Sequence, residues 1–305
     1  MNNNCFILGS GLIGCLAKRM FPSAEIIPFK KSRYYSFETP LADNFIICHK
    51  EIDPFMSEIC PADKIPILMK SSFSYYGQLI ATPPVELLQM YLQKVYQEYP
   101  DYYPKLLKSI HGVYQTTAMK LYDKLQDKLQ LDINESIRNY GEMISIDTKA
   151  KTITMRNKKM EYEKIISTIP LDALVKFCGF DLDLKSFSVC LYNITSEKID
   201  LEGNDYCYVA DKYIDFFKVV RLGQHSYMFW CKDAIQDPYK FFGSFLTHNI
   251  DIVETFRISN MMPIGNPPSL QMFQDADIYC IGSNAQYDDM VDVSSAILGL
   301  LRLKV

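Results

Sequence analysis

Apolar and polar positions divide the start of this chain into a strand, a turn and a helix. Cys5-Phe6-Ile7-Leu8 is a continuous apolar run of strand length, Gly9-Ser10-Gly11-Leu12-Ile13-Gly14 follows at once, and residues 15–21 support a helix. Residues 24–29 read as a second short strand. Residues 40–70 mix short apolar runs, Phe45-Ile46-Ile47-Cys48 and Ile65-Pro66-Ile67-Leu68, with Pro and Asp. Residues 72–83 read as a hairpin with Gly77 in its turn. Over 85–128 apolar residues recur at helical spacing, as in Leu87, Leu88, Tyr91, Leu92 and Val95, with an interruption at 99–104. Short strands return at 143–147, 152–155 and 164–168. A set rich in Tyr, Phe and Val follows, at 187–192, 206–209, 216–221 and 227–231. Residues 277–281 read as a buried strand, ended by Gly282, and a helix runs from about 290 to 303.

This order predicts an α/β protein. A discontinuous Rossmann-like FAD/NAD(P)-binding domain would comprise 1–70, 137–180 and 262–305, interrupted by a helical insertion at 71–136 and an antiparallel-sheet substrate domain at 181–261. Composition changes the picture little. The 305 residues, with 21 Tyr and 18 Phe, suffice for one large or two moderate domains. A net charge of -4 gives no large basic surface, so nucleic acid enters only as a substrate of a local patch. No apolar run is long enough to span a bilayer, and the start does not read as a signal peptide, so the expected setting is cytoplasmic. The nine cysteines form no CxxC pair and read as buried free thiols. The four histidines form no paired-ligand pattern, and no metal is expected. Oligomeric state is not legible.

The glycine turn carries the chemistry. Gly9 permits a tight turn, Gly11 lets backbone amides approach a pyrophosphate, and Gly14 lets the helix pack close on the strand, so that the helix N-terminus faces the phosphates. An acidic residue usually ends the second strand of such a unit and holds the adenosine ribose. Here Lys30 and Lys31 stand there. They suit a 2′-phosphate, a lateral contact to the pyrophosphate, or a solvated basic turn. Arg221 and Arg257, each in a strand-like context beside aromatics, are candidates for an anionic substrate group, with a structural ion pair as the alternative. Tyr206, Tyr208 and Tyr227 are candidates to line a substrate pocket, with core packing as the alternative. Trp230, the only tryptophan, reads as core.

Four segments together resemble the flavin amine oxidase, protoporphyrinogen oxidase and UDP-galactopyranose mutase superfamily. They are the N-terminal fingerprint; Lys164-Ile165-Ile166-Ser167-Thr168-Ile169-Pro170 with Leu171 and Leu174; Tyr76-Gly77-Gln78 with Pro83; and Ile278-Tyr279-Cys280-Ile281-Gly282-Ser283-Asn284-Ala285-Gln286-Tyr287. The resemblance implies FAD as cofactor, held by Gly9, Ser10, Gly11, Leu12, Ile13, Gly14, Lys30, Lys31, Ile144, Thr168, Pro170, Gly282, Ser283, Asn284 and Gln286. It also implies a loop at 262–267 approaching the flavin, for which a plain Pro/Gly turn is the alternative. The chain departs from the family in three places: the acidic ribose ligand is replaced, the family's Gly-Gly turn is absent from 30–36, and Ser283 stands at the family's arginine. Three functions follow as expectations. They are an FAD-dependent oxidoreductase acting on an amine or amino-acid-like group of a small molecule or modified nucleotide, a redox-neutral mutase or lyase acting on a nucleotide sugar or modified base, and a non-catalytic Rossmann-like binding protein. No nucleophile, triad or general base is legible.

Overall fold

The structure, a computed structural model, describes residues 4–29, 46–59, 64–65, 71–96, 113–114, 118–197, 199, 201–222, 224–246, 250–263, 268–286 and 293–304. The chain opens with β1 (Cys5–Leu8), α1 (Leu12–Met20) and β2 (Glu25–Ile27), followed by α2 (Asp53–Ile59) and β3 (Lys64–Ile65). A hairpin of β4 (Ser71–Tyr75) and β5 (Gln78–Ile80) leads into α3 (Val85–Tyr96), β6 (Val113–Tyr114) and α4 (Ala118–Tyr140). A meander of β7 (Met143–Asp147), β8 (Thr152–Met155) and β9 (Lys159–Glu161) precedes β10 (Lys164–Ser167) and α5 (Leu171–Cys178). Then come β11 (Ser186–Thr195), β12 (Tyr206–Val209), β13 (Phe216–Arg221), β14 (Ser226–Cys231), α6 (Pro238–Leu246) and β15 (Asp251–Pro263). The chain closes with α7 (Gln271–Gln274), β16 (Ile278–Cys280), α8 (Ser283–Gln286) and α9 (Val293–Lys304).

Two sheets organise the molecule. The first is parallel, in the order β16-β10-β1-β2. Its strands are short and almost wholly apolar, as expected where both faces are covered. Period-two alternation sends Ile7 and Ile166 to one face, against Leu16 of α1, Leu121 and Leu125 of α4, and Ile297 and Leu300 of α9. Phe6, Leu8, Ile165 and Ile278 face the other way, against Ile146 and Ile153 of the meander and Leu171 and Leu174 of α5. Each fully buried Leu or Ile contributes about 1.5–3 kcal/mol relative to leaving it exposed. Packing therefore holds α1, which spans 9 residues and has no side-chain cap.

The second sheet has seven strands in the order β15-β11-β14-β13-β12-β4-β5, antiparallel except where β12 runs parallel to β4. One face carries Phe73, Leu191, Tyr206 and Trp230 beneath Leu88, Tyr91 and Val95 of α3. The opposite face carries Tyr192, Cys207, Phe229 and Cys231 beneath Phe241 and Phe242 of α6.

The stretch read as a helical insertion at 71–136 holds the expected hairpin and two helices, α3 and α4. Its hairpin extends the seven-stranded sheet, because Tyr206 to Val209 offer Ser71 to Ser74 a free parallel edge. Its second helix runs on to Tyr140 and packs on α1, where Leu121, Tyr122, Leu125 and Ile133 form one buried stripe. The strand-like context read around Arg257 is one long strand, β15, spanning Asp251–Pro263, so Met262 and Pro263 of the expected loop end a strand opposite Phe187 and Ser186. Residues 264–267 lie outside the described residues. So does the start of the last helix as read from sequence; α9 is described from Val293.

Candidate functional site

The C-terminal ends of β1, β10 and β16 converge, and each is followed by a segment named from the sequence. After β1 the chain turns at Gly9, whose φ of 103° is a left-handed conformation favouring glycine. Gly9 N donates to Ile27 O at 2.8 Å. A Cβ on Gly9 would stand 2.5 Å from Thr168 Oγ1, and one on Gly14 would stand 2.0 Å from Gly9 O. Thr168 braces the same turn: its backbone N and its hydroxyl both donate to Leu8 O at 2.9 Å. After β16, Gly282 has φ 99°, and a Cβ there would stand 3.4 Å from Ile13 Cγ1. Ile281 N donates to Ser167 O at 2.9 Å, which fixes that strand end to β10. The first turn of α1 is thus packed between the Thr168 and Gly282 turns. Gly11 is its N-cap and supplies no side chain there. First-turn amides have no intrahelical acceptor, so an oxyanion suits this end.

The remaining cofactor candidates distribute around this junction. Ser10, Ile13, Ser283 and Gln286 are half-buried, and Leu12 is buried. Pro170 caps α5, its carbonyl accepting from Ala173 N and Leu174 N. Asn284 lies in α8, and Ile144 is exposed on β7. Lys30 and Lys31 lie outside the described residues. Phe29, just past β2, meets Phe177 of α5 edge to face at 5.9 Å, so α5 borders the place where an adenosine ribose ligand is expected. Burial pushes the thiols of Cys15, Cys178 and Cys280 up to about 12, so none offers a thiolate at neutral pH.

The tyrosines among the substrate candidates lie on both faces of the seven-stranded sheet. Tyr206 lies on the α3 face of the seven-stranded sheet, whereas Tyr227 lies on the α6 face with its hydroxyl donating to Ile199 O at 2.6 Å. Arg221 is paired with Asp205 at 2.9 Å. Arg257 is exposed on β15, opposite Cys190. Tyr208 packs its ring on Phe73 and Tyr91. Sequence reading passed over Lys94, whose ammonium donates to Val209 O, Asp211 O and Phe216 O at 3.0, 2.7 and 2.8 Å. Burial pulls that group down to about 8, against the opposing charges of Asp211 and Asp215. The available signal was a lysine three residues after Tyr91, beside the apolar stripe of α3.

No protein-family model and no curated protein sequence matches the chain. Solved structures do. Reduced UDP-galactopyranose mutase superposes with a TM-score of 0.68 at 14% identity, covering 98% of this chain and 93% of that one. Cyclohexylamine oxidase from Brevibacterium oxydans IH-35A gives 0.65 at 8% identity, covering 100% and 98%. A variant of putrescine oxidase gives 0.59 at 9% identity, covering 99% and 98%. The fold is that of the flavin amine oxidase and UDP-galactopyranose mutase proteins. The superpositions run over nearly the whole of this chain and of those proteins. Among the described residues no helix is long and apolar enough to cross a membrane.

Proposed function

We propose that this protein is an FAD-dependent oxidoreductase acting on an amine or amino-acid-like group of a small molecule or nucleotide-linked metabolite. The observation that carries the reading is the three-way junction of Gly9–Gly14, Thr168 and Gly282, where a Cβ on Gly9 or Gly14 would collide with neighbouring atoms. The close approach leaves the α1 N-terminus bare of side-chain caps, which fits a dinucleotide pyrophosphate. Gly9, Ser10, Gly11, Leu12, Ile13 and Gly14 would hold that pyrophosphate. Thr168 and Pro170 would border the cofactor from β10, and Gly282, Ser283, Asn284 and Gln286 from β16. The bound flavin would supply the hydride-accepting chemistry. The chain supplies placement: Thr168 locks the Gly9 turn through Leu8 O, and Gly282 seats the last strand on Ile13.

A second reading, a redox-neutral mutase or lyase, is supported by the 0.68 TM-score with UDP-galactopyranose mutase and by the Tyr76-Gly77-Gln78 turn. The visible absorption spectrum of the purified protein, before and after heat release of cofactor, tests both. A flavin spectrum that bleaches when substrate amines are added without oxygen supports the oxidoreductase. Turnover only after prior reduction of the flavin supports the second reading. A colourless protein that takes up no added FAD overturns both.

A further inference from the structure

Cys190 of β11 and Cys231 of β14 are direct partners in the antiparallel ladder. Among the described residues no other two cysteines are ladder partners. Both thiols are free and buried, and both lie on the α6 face beside Phe216, Phe229 and Phe242. The row continues outward. Arg257 of β15 is the partner of Cys190 on its other side, and it is exposed. Cys190 therefore lies one strand in from β15, and Cys231 one strand deeper.

The type of ladder pair sets the separation. Ser196 N donates to His225 O at 2.8 Å, which marks that pair as hydrogen-bonded. Hydrogen-bonded and non-hydrogen-bonded pairs alternate along an antiparallel ladder. No register shift interrupts β11 and β14, so an even number of steps from Ser196 makes Cys190 and Cys231 a hydrogen-bonded pair too. Cα atoms of such a pair are about 5.5 Å apart, inside the range of about 4.4–6.8 Å that a disulfide bridges. Their Cβ atoms, also about 5.5 Å apart, must approach by about 1 Å to reach disulfide spacing. The backbone bonds of the pair resist that approach. A bridge here is thus strained, and strained disulfides are the readily reduced ones. The place suits a bond that opens and closes rather than a permanent staple.

We propose that Cys190 and Cys231 are a modification site, closing reversibly as a disulfide in the presence of a hydroperoxide. The Cys190 thiolate, with Arg257 beside it, attacks a peroxide oxygen. The O–O bond breaks, Cys190 becomes a sulfenic acid, and the hydroxide released takes up the proton that Cys190 lost. The Cys231 sulfur then displaces the sulfenic hydroxyl, which leaves with the Cys231 proton as water. One hydrogen peroxide is reduced to two waters, and two thiols are oxidised to one S–S bond. Burial pushes both thiols up; Arg257 opposes it and Asp233 adds to it at Cys190, and Asp215 adds to it while Lys94 opposes it at Cys231. Closure is therefore slow at neutral pH and quickens as pH rises. Lys232, the residue after Cys231, donates to Lys94 O, so a shift at the end of β14 reaches the last turn of α3. The site stands with or without a bound flavin.

The folded full-length protein is treated with hydrogen peroxide at about pH 7 and about pH 9, its remaining thiols are alkylated, and its peptides are mapped. The alkylated set should lose Cys190 and Cys231 together, one new peptide should join them, and dithiothreitol should return both. Closure should be at least about tenfold faster at the higher pH. Cys231→Ala should stop at a sulfenic acid on Cys190, trapped by dimedone, and Cys190→Ala should leave Cys231 unmodified. The map of the parent protein decides the bridge even where neither variant folds. Amide exchange over the last turn of α3 should differ between the open and closed forms. Thiols at 190 and 231 that survive peroxide at both pH values, or a bridge that dithiothreitol leaves shut in the folded protein, overturn the proposal. Identical exchange at α3 in both forms overturns the reach of the bond beyond its ladder.

Discussion

Gly14→Ala is the substitution that bears most directly on the glycine turn. The added methyl would stand 2.0 Å from Gly9 O and 2.8 Å from Gly9 C, where real contacts do not fall below 3.0 Å. Both are backbone atoms with no rotamer to yield. Gly9 is tied to Ile27 O, and Thr168 closes its other side. Either α1 or the turn must therefore move by about an ångström. Overpacking of this kind costs about 1–3 kcal/mol, and the rigid neighbours place it at the upper end. Alanine returns about 1 kcal/mol through helix propensity, leaving a net loss of about 2 kcal/mol. In a chain of 305 residues that lowers the melting temperature by about 3 °C. The same displacement moves the backbone amides that, on the proposed function, hold the pyrophosphate, so the flavin bound per chain should fall in the same preparation. Gly77→Ala is the control: its Cβ meets nothing within 4 Å, and only the φ of 76° opposes it, at about 1–2 kcal/mol. Flavin content should survive there. A Gly14→Ala protein that melts within about 1 °C of the parent and keeps its flavin would refute the close-approach argument. Loss of stability with flavin retained would refute its cofactor half.

Lys94→Met leaves the carbonyls of Val209, Asp211 and Phe216 without their common donor. At about 1–3 kcal/mol for each buried acceptor, the loss should be at least about 3 kcal/mol, read as a lower urea midpoint; an unchanged midpoint would contradict the clamp. Tyr227→Phe removes one hydrogen bond to Ile199 O on the face away from α3, so stability should drop by about 1 kcal/mol while KM stays put. A raised KM would instead place Tyr227 at the substrate. Stability should also fall at alkaline pH. The folded chain holds the Cys15, Cys178 and Cys280 protons up to about 12, whereas unfolded thiols release them near 9, so their contribution is full below 9 and lost as pH climbs toward 12. Lys94, held down to about 8 against 10.5, acts in the opposite sense between those values. Urea midpoints from about pH 8.5 to 11 should therefore decline, more steeply in Lys94→Met, and a flat profile would contradict the assignment.

Much of the parallel sheet and its glycine turn was legible because the signals are local. A glycine that must reach φ 103°, an apolar run of four residues and a strand-to-proline turn each announce themselves within ten residues. The seven-stranded sheet was less so. Strand β15 reads Asp-Ile-Val-Glu-Thr-Phe-Arg-Ile-Ser-Asn-Met-Met-Pro, and its shifts in register against β11 break the simple alternation that marks a strand. The hairpin at β4 and β5 was recognised as a hairpin, yet its partner β12 is more than a hundred residues away, and pairing at that range leaves no mark in local spacing. Arg221 and Tyr227 were candidates for the substrate, with an ion pair or core packing as the alternative, because polar groups among aromatics leave both readings open. Asp205 and Ile199 O, which occupy them, are invisible to composition. Lys94 shows the opposite failure: a lysine beside a helical stripe reads as solvated until the three carbonyls are seen.

The order in which the parallel sheet closes has a consequence for how the protein is made. Thr168 reaches back 160 residues to Leu8, and the buried hydroxyl of Ser294 reaches back 247 residues to Ile47. On the ribosome, β1 and its glycine turn emerge first, but their flanking strand β10 comes much later, and β16 later still. Such separations slow closure and leave strand edges unpaired meanwhile. A dinucleotide held at the Gly9–Gly14 turn would thus find its site finished only when the last strand has been made.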